Sequence, residues 1–74
     1  MGLNGLEFKQ RVERLLHKID GRLYAEFSAE NGKFTARVSD GTKIIGTRGT
    51  KPDENDQYKV LFRWGSGHTA PAMI

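Results

Sequence analysis

The sequence predicts an α+β fold: one N-terminal amphipathic helix packed on a four-stranded antiparallel β-meander. Three observations predict it. Apolar residues recur at helical spacing from Phe8 to Ile19, the chain then alternates apolar and polar from Arg22 to Ser39, and an Asn-Gly pair interrupts the alternation at its centre. A helix with one apolar stripe needs a flat partner, and the alternating strands supply it.

The helix has both ends written out. Asn4 is placed to cap it, Glu7 three residues later completes a capping-box pattern, and Leu3 and Phe8 occupy the two staple positions. Phe8, Val12, Leu15, Leu16 and Ile19 form the apolar stripe, while Glu7 with Arg11 and Lys9 with Glu13 stand at i,i+4 on the charged side. Asp20-Gly21 ends it after about 15 residues.

RLYAEFSA and KFTARVS then flank Asn31-Gly32, a strong hairpin signal. A two-residue loop pairs Glu30 with Lys33, which sets Phe27 opposite Ala36, Ala29 opposite Phe34 and Ala25 opposite Val38 on one face. On the other face Glu26 meets Arg37 and Ser28 meets Thr35, both favourable cross-strand pairs. The third strand, TKIIGTR, follows Ser39-Asp40-Gly41, and two turns are compatible with it. A two-residue Asp-Gly turn sends Lys43 and Ile45 to the helix side; a three-residue turn with Gly41 in a G1 bulge sends Ile44 there. The second keeps Lys43 out of the core and is preferred, leaving Ile45 exposed. Gly46 within the strand signals a bend or a close approach by another backbone.

GTRGTKPDENDQ reads as the long irregular connection, and QYKVLFRW as the last strand, with Tyr58, Val60, Phe62 and Trp64 toward the core. Residues 1–65 are thus expected to form a single αββββ domain. Gly65-Ser66-Gly67 has the composition of a hinge, and 66–74 reads as an uncharged C-terminal tail, a lid over the sheet or a hook for a partner.

Seventy-four residues without cysteine exclude disulfide staples and thiolate zinc sites, and fit a reducing, cytoplasmic setting. No apolar run reaches the roughly 18–20 residues of a membrane span. The net charge is +3, and its placement matters more than its size. Residues 1–40 carry seven Lys/Arg against six Asp/Glu, whereas the later acids are confined to Asp53, Glu54 and Asp56. Lys43, Arg48, Lys51, Lys59 and Arg63 therefore lack neighbouring counter-charges, which predicts a basic surface on the last strands.

The sheet face opposite the helix should present Arg22, Tyr24, Glu26, Lys33, Thr35, Arg37, Lys43, Ile45, Lys59, Leu61 and Arg63. Cations for phosphates beside flat or greasy side chains for bases suit nucleic acid, with Tyr24, Arg37, Lys43, Arg48, Lys59 and Arg63 as the candidate contacts. Solvated strand lysines that discourage edge pairing are the plainer account of the same residues. Arg48 and Lys51 beside Gly49 could also wrap a phosphate, but the acids that follow at once would repel it, and a flexible, solvated loop is the better reading. The acids after them lack the spacing of a calcium loop, and His17 and His68 belong to no metal-ligand or catalytic set, so neither a metal, a cofactor nor an enzyme is expected.

QYKVLFRWGSGHTA resembles the closing strand of the RelE/HigB-type toxin ribonucleases, in which an aromatic, an Arg-Trp pair and a small-residue turn recur. The likeness is limited to residues 57–70; the family's helical pair and basic helix-to-strand segment have no counterpart here. It implies Arg63 for phosphate contact and His68 for proton transfer, and ranks behind two binding functions. The first is a non-enzymatic nucleic-acid-binding module using the basic face. The second is a protein-binding or inhibitory module, or a homodimer of stacked sheets, using Ile45, Leu61, Met73 and Ile74.

Overall fold

The computed structural model describes residues 2–74. Helix α1 (Gly5–Ile19) is followed by β1 (Ala25–Glu30), β2 (Lys33–Val38), β3 (Lys43–Thr47), β4 (Lys59–Trp64) and β5 (His68–Met73). Each strand pairs antiparallel with the next, in the sheet order β1-β2-β3-β4-β5. The α+β meander is as expected, but it has five strands rather than four.

Asn4 caps α1, its Oδ1 accepting the Glu7 N–H at 2.9 Å. The Glu7 carboxylate accepts instead from Arg11 Nε at 3.0 Å. Leu3 and Phe8 are both buried at the staple positions. Lys9 is not paired with Glu13 among the described residues; its ammonium lies 6.0 Å from the Phe27 ring centroid. Ile19 departs from the expected stripe and is 62% exposed: it is the last residue of α1 and borders an open hollow with Leu23 and Trp64.

The β1–β2 register matches the expected pairs throughout. Asn31 (φ 52°) and Gly32 (φ 77°) both occupy the left-handed region that a two-residue turn of this hand requires. The next turn takes three residues: Val38 N–H bonds to Thr42 C=O at 2.8 Å, with Gly41 at φ 96°. Ile44 accordingly pairs with Ala36 and is fully buried. Ile45 is half-buried rather than exposed, since Thr35 and Leu61 flank it across both neighbouring strands.

Phe8, Val12 and Leu16 meet Phe34, Ala36, Val38, Ile44 and Val60 in the core, closed by Leu3, Tyr58 and Ile74. Each large side chain removed from water there contributes about 1.5–3 kcal/mol. The Phe8 ring stands edge-on to Phe27 (centroids 6.1 Å) and tilted against Phe34 (5.6 Å). Gly46 makes room for it: a Cβ there would lie 2.9 Å from two Phe8 ring carbons and 3.1 Å from Leu3 Cδ2. The close approach is by a side chain, not a backbone.

Residues 68–73, expected as part of a tail, form β5. Gly65 (φ 61°) and Gly67 (φ 120°) make the Gly-Ser-Gly segment a tight turn. Tyr58 and Ile74 exchange both backbone hydrogen bonds, at 2.7 and 2.9 Å. Bonding alternates along an antiparallel ladder, so Ala72 and Ala70 also face β4, and Pro71 falls at an outward position. Its missing N–H therefore costs no ladder bond and removes a donor from an exposed edge.

Candidate nucleic-acid interface

Strand register builds one row across the open face, running Glu26, Arg37, Lys43, Arg63 and Thr69 from β1 to β5. Adjacent strands lie about 4.8 Å apart, so the three central cations stem from within about 10 Å of one another. Among the described residues none of the three forms an ion pair. Like charges placed directly opposite destabilise a sheet. The row therefore works against the fold that carries it.

One step along the strands lies a neutral row of Ser28, Thr35, Ile45, Leu61 and Pro71, with Leu61 44% exposed. Beyond it β3 and β4 part company, since their pairing ends at Ile45 and Leu61. Lys33, Thr47, Thr50 and Lys59 line the shallow hollow left between them. Lys59 thus sits apart from the central row, in company with Lys33. Sequence reasoning placed Lys33 on this face without counting it as a contact; the hairpin register would have found it.

Tyr24 precedes β1 and is 67% exposed, with its backbone bonded to Ser39. Its parity with Glu26 puts it on the open face, past the Glu26 end of the cationic row. Arg22 instead turns back to Asp20, whose carboxylate accepts from the Arg22 backbone N–H at 3.0 Å and from its guanidinium at 3.3 and 3.2 Å. These bonds, the guanidinium's first, hold the Asp20 carboxyl below its ordinary pKa.

Arg48 lies at the far end, beside the Asn31-Gly32 turn, and does not join the row. Three backbone donors that a phosphate at this loop would need are already used. Arg48 N–H bonds to Gly32 C=O, Gly49 N–H to Leu3 C=O and Thr50 N–H to Thr47 C=O, at 2.7, 3.0 and 3.2 Å. The acids that follow hold the loop together. Asp53 Oδ1 accepts from the Asn55 and Gln57 N–H groups, and Asp56 Oδ2 accepts from Arg11 Nη2 at 3.2 Å. Arg11 also donates to the Asp56 and Ile74 carbonyls, and its guanidinium carbon lies 4.8 Å from the Tyr58 ring centroid. Burial works against its charge, but the hydrogen bonds and charges of Glu7 and Asp56 prevail, and its pKa is raised above the ordinary value.

Of the apolar candidates, Ile45, Leu61 and Met73 share the open face, while Ile74 is buried against the core. Trp64 was expected toward the core; it is instead 45% exposed, at the mouth of a hollow it shares with Leu16 and Ile19 of α1. His68 stacks on it, with ring centroids 6.3 Å apart and an interplanar angle of 22°. Arg63 and His68 therefore project from opposite faces. The acid–base pair implied by the ribonuclease likeness is not assembled.

No protein-family model, curated protein or solved structure matches the chain.

Proposed function

We propose that the protein is a non-enzymatic module that binds nucleic acid through the open face of its sheet. The observation that carries the reading is the unpaired cationic row Arg37–Lys43–Arg63. Three cations stacked across neighbouring strands repel one another, and a row of phosphates relieves that repulsion while giving up its own counterions. Lys33 and Lys59 add a second group of cations along the strands, with Ile45 and Leu61 between the two groups as a surface for sugar and base edges. The central rows hold no aromatic side chain, so stacking contributes little and the sugar-phosphate backbone supplies most of the affinity.

The test is fluorescence anisotropy of labelled single- and double-stranded oligonucleotides against protein at several salt concentrations. Five phosphate contacts on a duplex give a log–log salt slope of about −4.5, or roughly a 500-fold loss of affinity between 50 and 200 mM salt. Arg37→Gln with Arg63→Gln lowers the slope by about 2. Binding indifferent to salt, or unchanged in that variant, refutes the proposal. It would direct attention to a protein partner on Ile45, Leu61 and Met73.

A further inference from the structure

The two outer edges of the sheet are not alike. Tyr24 C=O accepts from Ser39 N–H at 2.8 Å, which fixes the phase of the β1–β2 ladder: the even-numbered residues of β1 turn their backbone groups toward β2. Ala25, Phe27 and Ala29 turn theirs outward, where β1 has no neighbouring strand. Among the described residues no backbone bond from elsewhere in the chain reaches them. At the other edge Pro71 stands within β5 at an outward position and offers no N–H. One edge is blunted, and the other is a bare template for a further strand.

The template is nearly symmetric about its centre. Ala25-Glu26-Phe27-Ser28-Ala29 reads small, polar, aromatic, polar, small in either direction. We propose that β1 pairs antiparallel with β1 of a second copy of the chain, about a two-fold axis through Phe27. In that register Ala25 exchanges backbone bonds with the partner's Ala29, and Phe27 with its own counterpart. On the helix side two Phe27 rings meet with only alanines beside them, covering the shallow hollow that Gly5, Phe8, Phe27 and Ala29 leave along this edge. Lys9 brings a like charge near the axis, its ammonium 6.0 Å from the Phe27 centroid, and its flexible stem lets the two ammoniums part into solvent. On the open side Glu26 falls opposite the partner's Ser28, and the exposed Tyr24 opposite the partner's Glu30. Charge selects this register over its neighbours. Moving the axis onto Glu26 sets Glu26 against itself, and moving it onto Ser28 sets Glu26 against Glu30; like charges directly opposed destabilise a sheet. Moving it two residues either way leaves most of β1 unpaired. A head-to-tail array would need β5, which Pro71 closes, so the assembly stops at two.

Sedimentation velocity over a wide concentration range compares the parent protein with Ser28→Lys, Ser28→Glu and Ala29→Pro, all at exposed positions. The parent is expected to pass from monomer to dimer as its concentration rises. Within its own sheet Ser28 faces neutral Thr35, so both charge variants should fold as the parent does, which circular dichroism verifies. By symmetry each variant creates two new pairs with Glu26 of the partner. Ser28→Lys should tighten the dimer and Ser28→Glu weaken it, each by roughly 2- to 30-fold in dissociation constant. Ala29→Pro removes an outward N–H, leaves the β2 ladder untouched and should give a monomer. Amide exchange at Ala25, Phe27 and Ala29 should slow with rising concentration, more than at the inward amides of Glu26 and Ser28. The proposal is overturned if the parent stays monomeric at millimolar concentration, which would leave the edge to a strand of another protein. It is equally overturned if the two Ser28 variants move the equilibrium in the same direction, or if exchange at the three outward amides ignores concentration. A dimer lost to Leu61→Glu but not to Ala29→Pro also overturns it, since that is the behaviour of stacked open faces.

Discussion

Replacing Lys43 with Gln is expected to make the protein more stable and a poorer nucleic-acid binder. Lys43 stands between Arg37 and Arg63 as the Cα partner of both. Its removal deletes both like-charge cross-strand pairs at once, while Gln keeps most of the aliphatic stem against the sheet. Directly opposed side chains have Cβ atoms about 4.5–5.5 Å apart, and such pairs shift stability by roughly 0.2–1 kcal/mol each. Two repulsive pairs on a partly solvated face give an expected gain of about 0.5–1 kcal/mol. For a domain of this size the melting temperature would rise by roughly 2–8 °C. The assay is thermal and urea unfolding of both proteins in low salt and again in 1 M NaCl. At the higher salt the screening length is about 3 Å, and the gain should vanish. Oligonucleotide affinity should fall in parallel, with the salt slope less steep by about 0.9. Destabilisation by Lys43→Gln, or a gain that survives 1 M salt, would refute the argument that the row is held against its own repulsion.

Gly46→Ala places a methyl 2.9 Å from the Phe8 ring, which Phe27 and Phe34 hold from two sides. A loss of about 1–3 kcal/mol in urea unfolding is expected, partly recovered when Phe8→Leu is added. Arg11→Ala breaks the bonds to Asp56 and Ile74; amide exchange at Ile74 and Gln57 should quicken far more than in β2. Asp20, with its pKa lowered by Arg22, contributes stability that is complete above the unfolded carboxyl pKa of about 3.9 and is lost as pH falls through its folded value. Asp20→Asn should therefore melt below the parent protein at neutral pH, and the difference should shrink as pH falls below about 3.9 and the carboxylate takes up its proton.

Local chemistry made much of this fold legible. The capping signals at Asn4 and the Asn-Gly turn act over a few residues, and each agreed with the apolar pattern around it, so α1, the β1–β2 register and the burial of Ile44 follow from the chain alone. β5 was missed because Pro71 and two glycines read as punctuation. Their tolerance depends on which way Pro71 faces and on a turn needing positive φ, and both are settled by the pairing with β4. Ile19 and Trp64 were misplaced for a different reason: alternation and helical periodicity assign a side chain to a face but do not say where the helix stops covering the sheet. For the candidate site, the residues of the cationic row were legible from parity. Their alignment into one row required the register of β3 and β4, and the separation of Arg48 from that row followed from its place just past β3, beside the Asn31-Gly32 turn.

The seam between β3 and β4 is the shortest ladder in the sheet, with three residue pairs against six on either side of the β1–β2 and β4–β5 turns. It is also the only one closed by a long loop, residues 48–58. Two locally wired parts, α1 with β1–β3 and the β4–β5 hairpin, thus meet along the shortest ladder, and Val60, Tyr58 and Ile74 join them through the shared core. Arg37 and Lys43 belong to one part and Arg63 to the other. A polyanion lying across the row would bridge that seam and add to what holds the hairpin in place, so the ligand would act as a clasp between the two parts.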